Sequence, residues 1–242
     1  MNIKYHQTSE FPGWEKAPEF LLQLIETYNA QKVLEIGSGA NPTLTPNIVS
    51  DLGIKYTTND LSGEELLKAS TVYSTWEADL CTPKIADKHL EKYQLIFSRM
   101  VNEHIKDGKT YYENLYDLLE PGGITVHCFS TLYAFPFLVN RILPENFTDK
   151  LLNFFNPRAD RYQHEKFPAY YSWSRGPSEK SIKRFEAIGF EVIKYVGFFG
   201  HGYYRKKIPF LDYLEQKKAH WLVKNPIPAL TSYAYIILKK RS

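Results

Sequence analysis

The segment Lys32–Ile36 running into Gly37-Ser38-Gly39 limits what this chain can fold into more than any other feature. The short apolar run Lys-Val-Leu-Glu-Ile has the length of a buried strand. The two glycines carry no Cβ, so the backbone that follows can approach a ligand closely. A carboxylate, Asp60, comes 21 residues after Gly39 (60 − 39), at the end of a second predicted strand, Lys55–Asn59. At a strand tip such a group can accept both hydroxyl protons of a ribose. A third predicted strand, Val72–Ala78, leads to Asp79 and Leu80, which offer a carboxylate and an apolar contact to an adenine. Singly, each piece has an ordinary alternative: Gly-x-Gly is also a tight turn, and Asp60 competes with Ser62 as a helix cap. In this order and at these distances they read together as a nucleotide site.

Position 42 bears on which nucleotide. A dinucleotide fingerprint has its third glycine there, but the chain has Asn41-Pro42, and proline removes an amide donor that phosphate oxygens need. A nicotinamide-dependent oxidoreductase is therefore the weaker alternative, beside a non-catalytic nucleotide-binding scaffold.

The remaining pattern alternates helix and strand. Phe20, Leu21, Leu24, Ile25 and Tyr28 recur at helical spacing, after an opening that reads as loop. Further helices are expected over residues 44–50, 64–69, 107–119 and 178–188. A fourth strand, Tyr93–Ser98, and a fifth, Ile124–Ser130 fed by a Pro121-Gly122-Gly123 turn, precede a sixth, Glu191–Phe199, and a seventh, Ser232–Lys239. The expectation is an α/β, Rossmann-like, mostly parallel sheet with helices on both faces, in one domain over residues 1–242. Residues 131–177 and 200–231 interrupt the alternation as insertions after strands five and six.

Composition narrows the class of partner. With 242 residues, 43% of them hydrophobic, and a net charge of +3, the chain can bury a full core and has no polyelectrolyte character, so no nucleic-acid partner is expected. Two cysteines make no disulfide framework, the start lacks the apolar stretch of a secretory signal, and no run reaches the roughly 20 residues of a spanning helix. A cytoplasmic location is the expectation.

The ordered set Val33-Leu34-Glu35-Ile36-Gly37-Ser38-Gly39, Asp60, Ala78-Asp79-Leu80, Leu95 to Ile105 and Leu118-Leu119-Glu120-Pro121-Gly122-Gly123 resembles class I S-adenosylmethionine-dependent methyltransferases of the ubiquinone-biosynthesis and small-molecule type. The likeness covers about residues 30–130 and the helix end Phe185–Phe190. It implies a seven-stranded sheet with an antiparallel last strand and S-adenosylmethionine as cofactor. It also implies that Glu35, Gly37, Ser38, Gly39 and Asn41 border the methionine moiety, Asp60 and Leu61 the ribose, and Asp79 and Leu80 the adenine. Ser98, Arg99 and Met100 would form the floor. The segment Ser98-Arg99-Met100-Val101 does not resemble the Asn/Asp-Pro-Pro-Tyr/Phe motif of amino-methylating nucleic-acid enzymes.

Methyl transfer from a sulfonium is an in-line displacement in which positioning and desolvation carry much of the rate. A hydroxyl or acidic carbon acceptor also favours a base of pKa near 7, which points to histidine. His104, after the fourth strand, is the first candidate, and His201, between Gly200 and Gly202, the second. Each has a bland alternative: a helix-cap residue for His104, a surface histidine in a flexible turn for His201. His127, inside a strand, reads as a satisfied core histidine. Glu103, Tyr170, Tyr171, Trp173, Arg175 and Tyr203 are the candidate acceptor contacts, since polar-tipped aromatics suit an apolar site that orients a substrate. No metal pattern stands out.

Both insertions leave the edge of the sheet where ligands bind, so they are placed to form a lid over a small or medium-sized metabolite, with oxygen favoured over carbon as acceptor atom. The apolar face of residues 132–155 could instead pair with another subunit or touch a membrane surface, which keeps open a lipid-linked or glycan acceptor.

Overall fold

The computed structural model describes residues 3–10, 16–85, 90, 92–132 and 168–241. Eight strands form one sheet in the order β1-β7-β8-β6-β5-β2-β3-β4. They are β1 (Lys4–Gln7), β2 (Lys32–Ile36), β3 (Lys55–Asp60), β4 (Ser74–Glu77), β5 (Tyr93–Arg99), β6 (Leu119–Ser130), β7 (Phe190–Phe199) and β8 (Tyr233–Lys240). Every pairing is parallel except those of β8 with β6 and β7. The mostly parallel sheet with its antiparallel last strand is the expected fold, with one strand more than expected.

The extra strand, β1, lies within the opening read as loop. Its Lys-Tyr-His-Gln sequence has one partly covered residue and three exposed ones. No alternation of apolar residues announces such an edge strand; pairing with β7 creates it. At Pro121-Gly122-Gly123 a turn was expected before the fifth strand, but β6 begins earlier. Between the pairs Tyr93/Leu119 and Leu95/Ile124 the chain advances two residues on β5 and five on β6. The Pro-Gly-Gly is thus a bulge within the pairing.

Helices α1 (Ala17–Tyr28), α2 (Pro46–Leu52), α3 (Gly63–Leu67), α4 (Gly108–Leu118), α5 (Glu179–Ile188) and α6 (Pro209–Lys224) flank the sheet. Leu21, Leu24 and Ile25 of α1 and Val49 of α2 pack on one face against Val33, Leu95, Phe97 and Val126. Tyr111, Tyr112 and Leu115 of α4 and Phe185 of α5 pack on the other, against Leu34, Ile96 and Ile236. The α6 helix arises inside residues 200–231 and covers the β1–β7 end through Ala219 and Leu222 against Phe199 and Tyr5. Among the described residues no helix is long and apolar enough to cross a membrane. Of the 131–177 insertion expected as part of the lid, residues 133–167 lie outside the described residues, and with them all but Leu132 of the apolar face over 132–155.

From β2 the chain moves outward to β3 and β4, then returns to β5 on the opposite side of β2. The carboxyl ends of β2 and β5 therefore flank a topological switch point, where ligands of such sheets bind.

Candidate active site

At that switch point the loop after β2 is held open by its own backbone. Gly37 and Gly39 have φ of +67° and +51°, a region that side chains disfavour. The amides of Gly37 and Ser38 both donate to the Asn59 carbonyl, at 2.8 and 3.2 Å. Across the crevice Val101 presses on the loop so closely that a Cβ on Gly37 would stand 2.4 Å from its Cγ2.

Asp60 closes the cradle. Its Oδ2 accepts the Gly39 amide at 2.9 Å and its Oδ1 the Ser62 amide at 3.1 Å, and each oxygen keeps a second lone pair for a hydroxyl. Ser62, not Asp60, caps α3, accepting from the Glu65 amide at 3.3 Å. Leu61 is exposed beside it.

Glu35 is buried and its carboxylate is fully engaged. Oε2 accepts from the Thr43 amide at 2.8 Å and the Tyr56 hydroxyl at 2.7 Å, and Oε1 accepts from the Thr43 hydroxyl. Burial raises its pKa, opposed by these bonds and by Arg99. Its side chain thus folds the Asn41-Pro42-Thr43 return onto β2, while Asn41 itself is exposed. The Ser38 hydroxyl, by contrast, is buried with no partner.

The outer side of the cradle depends on a residue passed over in the sequence. Asn59 is buried, and its Nδ2 donates to the carbonyls of Trp76 and Ala78 at 2.8 and 3.0 Å, fixing the approach to Asp79. An amide at a buried strand position directly before an acidic tip was the available signal. Asp79 is exposed and accepts from the Cys81 amide at 2.8 Å. Leu80 is buried in the core against α4.

On the β5 side, Ser98 belongs to a polar network beneath the crevice. Its Oγ lies 3.0 Å from Asn102 Oδ1 and 2.6 Å from His127 Nδ1, and Thr125 Oγ1 meets the other ring nitrogen at 2.7 Å. Burial holds the His127 pKa down to about 3, so this ring is a neutral, satisfied core histidine. Met100 turns the chain with φ +57°, its amide bonded to the Cys128 carbonyl at 2.8 Å.

Beyond that turn, Asn102–His104 forms one 3-10 turn onto which residues 168–174 dock. The Glu103 carbonyl accepts the amides of Tyr170 and Tyr171 at 2.8 and 3.0 Å, and the Asn102 carbonyl accepts the Ser174 hydroxyl at 3.2 Å. His104 is half-buried, with Nδ1 3.1 Å from the Pro168 carbonyl. The Glu103 side chain is only 2% exposed. Ser130 donates to its Oε1 at 2.9 Å, and Oε2 has no partner among the described residues. Burial raises this carboxyl's pKa, against the opposing pull of His104 and Ser130.

Tyr171, Tyr203 and Tyr233 gather around Glu103. Tyr203 hydrogen-bonds the Tyr233 hydroxyl, which burial pushes well up, with further contributions from Glu103 and Tyr171. The other proposed acceptor contacts sit elsewhere. Tyr170 is exposed, and so is Arg175, whose Nε donates to the Tyr171 carbonyl at 3.2 Å. Trp173 stacks on Tyr112 at 5.6 Å and meets Phe185 edge-on at 5.4 Å, in the core between α4 and α5.

A profile of the methyltransferase domain family matches residues 8–195, more than three quarters of the chain. This chain belongs to the methyltransferase domain family. A search of curated protein sequences finds no match. Among solved structures, it is similar to an S-adenosylmethionine-dependent methyltransferase from Archaeoglobus fulgidus. The TM-score is 0.57 at 16% identity, over 95% of this chain and 96% of that one. Phosphoethanolamine N-methyltransferase 2 from Haemonchus contortus, in complex with S-adenosyl-L-methionine, matches with TM-score 0.54 and 15% identity, over 96% of this chain. The chain spans 54% of that relative's length. The CurJ carbon methyltransferase matches with TM-score 0.53 and 16% identity, over 93% of this chain and 53% of that one. At these identities the likeness carries the fold, which is the class I methyltransferase architecture.

In this methyltransferase the two catalytic candidates occupy different surroundings. His104 stands at the β5 tip, two residues beyond the Asn102 that bonds to Tyr112. His201 is not a surface residue in a flexible turn. It is 1% exposed beneath α6, between the rings of Tyr203 and Tyr204, with Nε2 3.8 Å from Glu215 Oε1 and no hydrogen-bond partner on either nitrogen. Burial lowers its pKa, although Glu215 pulls the other way. Among the described residues no group of three or more His, Cys, Asp or Glu could hold a metal ion.

Proposed function

We propose that this enzyme transfers a methyl group from S-adenosylmethionine to a small or medium-sized metabolite, with oxygen favoured over carbon as the acceptor atom. One observation carries the cofactor assignment. Two positive-φ glycines at the switch point form a cradle closed by Asp60 and by Val101, and the hydroxyl of Ser38 between them has no partner among the described residues. These groups fit the cofactor. Gly37, Ser38, Gly39 and Asn41 border its methionine part, Asp60 and Leu61 its ribose, Asp79 and Leu80 its adenine, and Ser98 to Met100 lie beneath. Glu35 acts through the Thr43 loop as a positioning residue. When bound, the cofactor supplies an electrophilic methyl group.

The chain's own part is to orient the donor, exclude water and hold the acceptor's proton. The β5 tip is the place for the last task, because its residues adjoin the switch point, whereas His201 lies under α6. If His104 donates Nδ1–H to the Pro168 carbonyl, the ring's lone pair falls on Nε2, the arrangement of a base. His104→Ala and His201→Ala, assayed separately for turnover and for S-adenosylhomocysteine affinity, test the assignment. Lower turnover with unchanged affinity is expected for His104, and unchanged turnover in both variants contradicts a histidine base.

A second reading, a lipid-linked acceptor met at a membrane surface, draws on α6. Phe210, Tyr213 and Trp221 are 68%, 58% and 55% exposed there, close in sequence to Arg205, Lys206 and Lys207. Flotation with anionic liposomes separates the readings: the metabolite enzyme stays in the dense fraction.

A further inference from the structure

A cavity of about 250 Å3 lies between the first two turns of α1 and the carboxyl edge of the sheet. Its described walls include Phe20, Phe97, Cys128, Phe198, Tyr233 and Tyr235, and it continues past exposed Gln23 on α1. Register ties it to the donor site. Phe97 pairs with Glu35 of β2, and Cys128 pairs with Arg99 at the β5 tip. It is tied equally to Glu103. Ser130, two residues beyond Cys128 and on the same face of β6, pairs with Tyr233 and donates to Glu103. The cavity therefore has largely aromatic walls, with Lys16 and Glu19 on its α1 side, and its Tyr233 end is linked through Ser130 to the buried Glu103 carboxyl, which has one oxygen without a partner among the described residues.

We propose that this cavity is the acceptor pocket, that it takes a compact one- or two-ring aromatic hydroxyl compound, and that Glu103 receives the hydroxyl proton. The proposal rests on the methyl-transfer reading above. Aromatic walls favour a flat apolar ring, and an unpaired buried carboxyl oxygen lacks the one partner that a hydroxyl supplies. The balance is simple. The acceptor oxygen forms the new C–O bond as the donor's S–CH3 bond breaks with its electron pair going to sulfur, and the O–H proton passes to the Glu103 carboxylate. Glu103 and His104 are consecutive residues of the turn at the β5 tip and interact electrostatically, so the proton that Glu103 receives is one that His104 can take up in turn.

The probe is 2-naphthol, followed by its fluorescence with and without S-adenosylhomocysteine. Saturable binding is expected in the unmodified protein. It should weaken tenfold or more in Cys128→Phe, which fills the cavity, and in Gln23→Trp, which alters an exposed α1 position and does not strain the fold. Both variants should retain calorimetric affinity for S-adenosylhomocysteine. With the methyl donor, 2-naphthyl methyl ether should form, at least 100-fold more slowly in Glu103→Gln at unchanged naphthol affinity. Absence of naphthol binding in a protein that binds S-adenosylhomocysteine overturns the pocket and leaves the methyl-transfer reading standing. Failure to bind S-adenosylhomocysteine overturns that reading itself. Naphthol affinity unchanged in both cavity variants overturns the location. Absence of the ether, or an undiminished rate in Glu103→Gln, overturns the proton role.

Discussion

The two sides of the crevice treat their buried polar atoms differently. On the donor side, both oxygens of Glu35 and of Asp60 and the Asn59 amide are matched to specific partners, most of them backbone groups, while the Ser38 hydroxyl is left buried without a partner among the described residues. On the acceptor side, Glu103 Oε2 is buried without any partner among the described residues, as are both nitrogens of His201 farther off under α6. Saturated networks rigidify and preset a geometry, whereas unpaired buried groups cost stability until something satisfies them. The donor half is built to hold one ligand shape. In the reading proposed above, the acceptor half keeps polar capacity in reserve for the substrate.

Breaking the donor side should have the largest effect. Gly37→Ala places a methyl group against Val101 at a φ that L residues disfavour, so S-adenosylhomocysteine affinity should fall at least 100-fold by calorimetry. A variant that binds normally would show that the loop is not under this constraint. Next in size is Asp60→Ala, which removes the acceptor of the Gly39 and Ser62 amides as well as the proposed ribose contact. Hydrogen bonds to a charged group contribute about 1.5–3 kcal/mol, so a loss of roughly tenfold to 100-fold is expected. Thr43→Val, removing one hydroxyl from buried Glu35, should cost about 1–3 kcal/mol in urea unfolding.

The acceptor side should respond to pH rather than to loss of contacts. Burial raises the Glu103 pKa from its ordinary 4.5, so the folded state retains a proton that the unfolded chain releases. The stability this contributes is complete below the unfolded value and is lost as pH rises through the folded one. The Tm of Glu103→Gln relative to the unmodified protein should therefore climb as pH rises above about 4.5. A flat difference would contradict a buried, under-satisfied carboxyl. His201 runs the opposite way and more weakly. Its pKa is lowered from 6.5, so its contribution is present above that value and fades as pH falls below it. His201→Phe should flatten the acid limb of the Tm profile with little change at pH 8.

The same contrast governs what could be foreseen. The donor half is legible because each of its parts is local. Apolar strands end in Gly37-Ser38-Gly39, Asp60 and Asp79, and the strand order that brings the tips together follows from simple crossover rules. Even there the division of labour was hidden, since a bare carboxylate in sequence does not reveal that Glu35 is consumed by Thr43 and Tyr56. The acceptor half depends on pairing across long stretches. The buried positions of α6 include Glu215 beside Ala219 and Leu222, while Phe210 and Trp221 face outward, so no apolar stripe marks this helix. Edge strand β1 is polar, and only contact with β7 makes it a strand. Phe20 reads as one more apolar position of a helix covering the sheet, and nothing local shows that it lines a cavity together with Gln23. Nothing local in the sequence shows that Trp173 stacks on Tyr112 and meets Phe185, partners 61 and 12 residues away (173 − 112 and 185 − 173).

The most direct test of the account is calorimetric titration of the unmodified protein with S-adenosylhomocysteine and, separately, with NAD. The Gly37–Gly39 cradle closed by Asp60, with Pro42 in place of a pyrophosphate-binding glycine, predicts saturable one-site binding of S-adenosylhomocysteine and none of NAD. Binding of NAD with no heat from S-adenosylhomocysteine would contradict it.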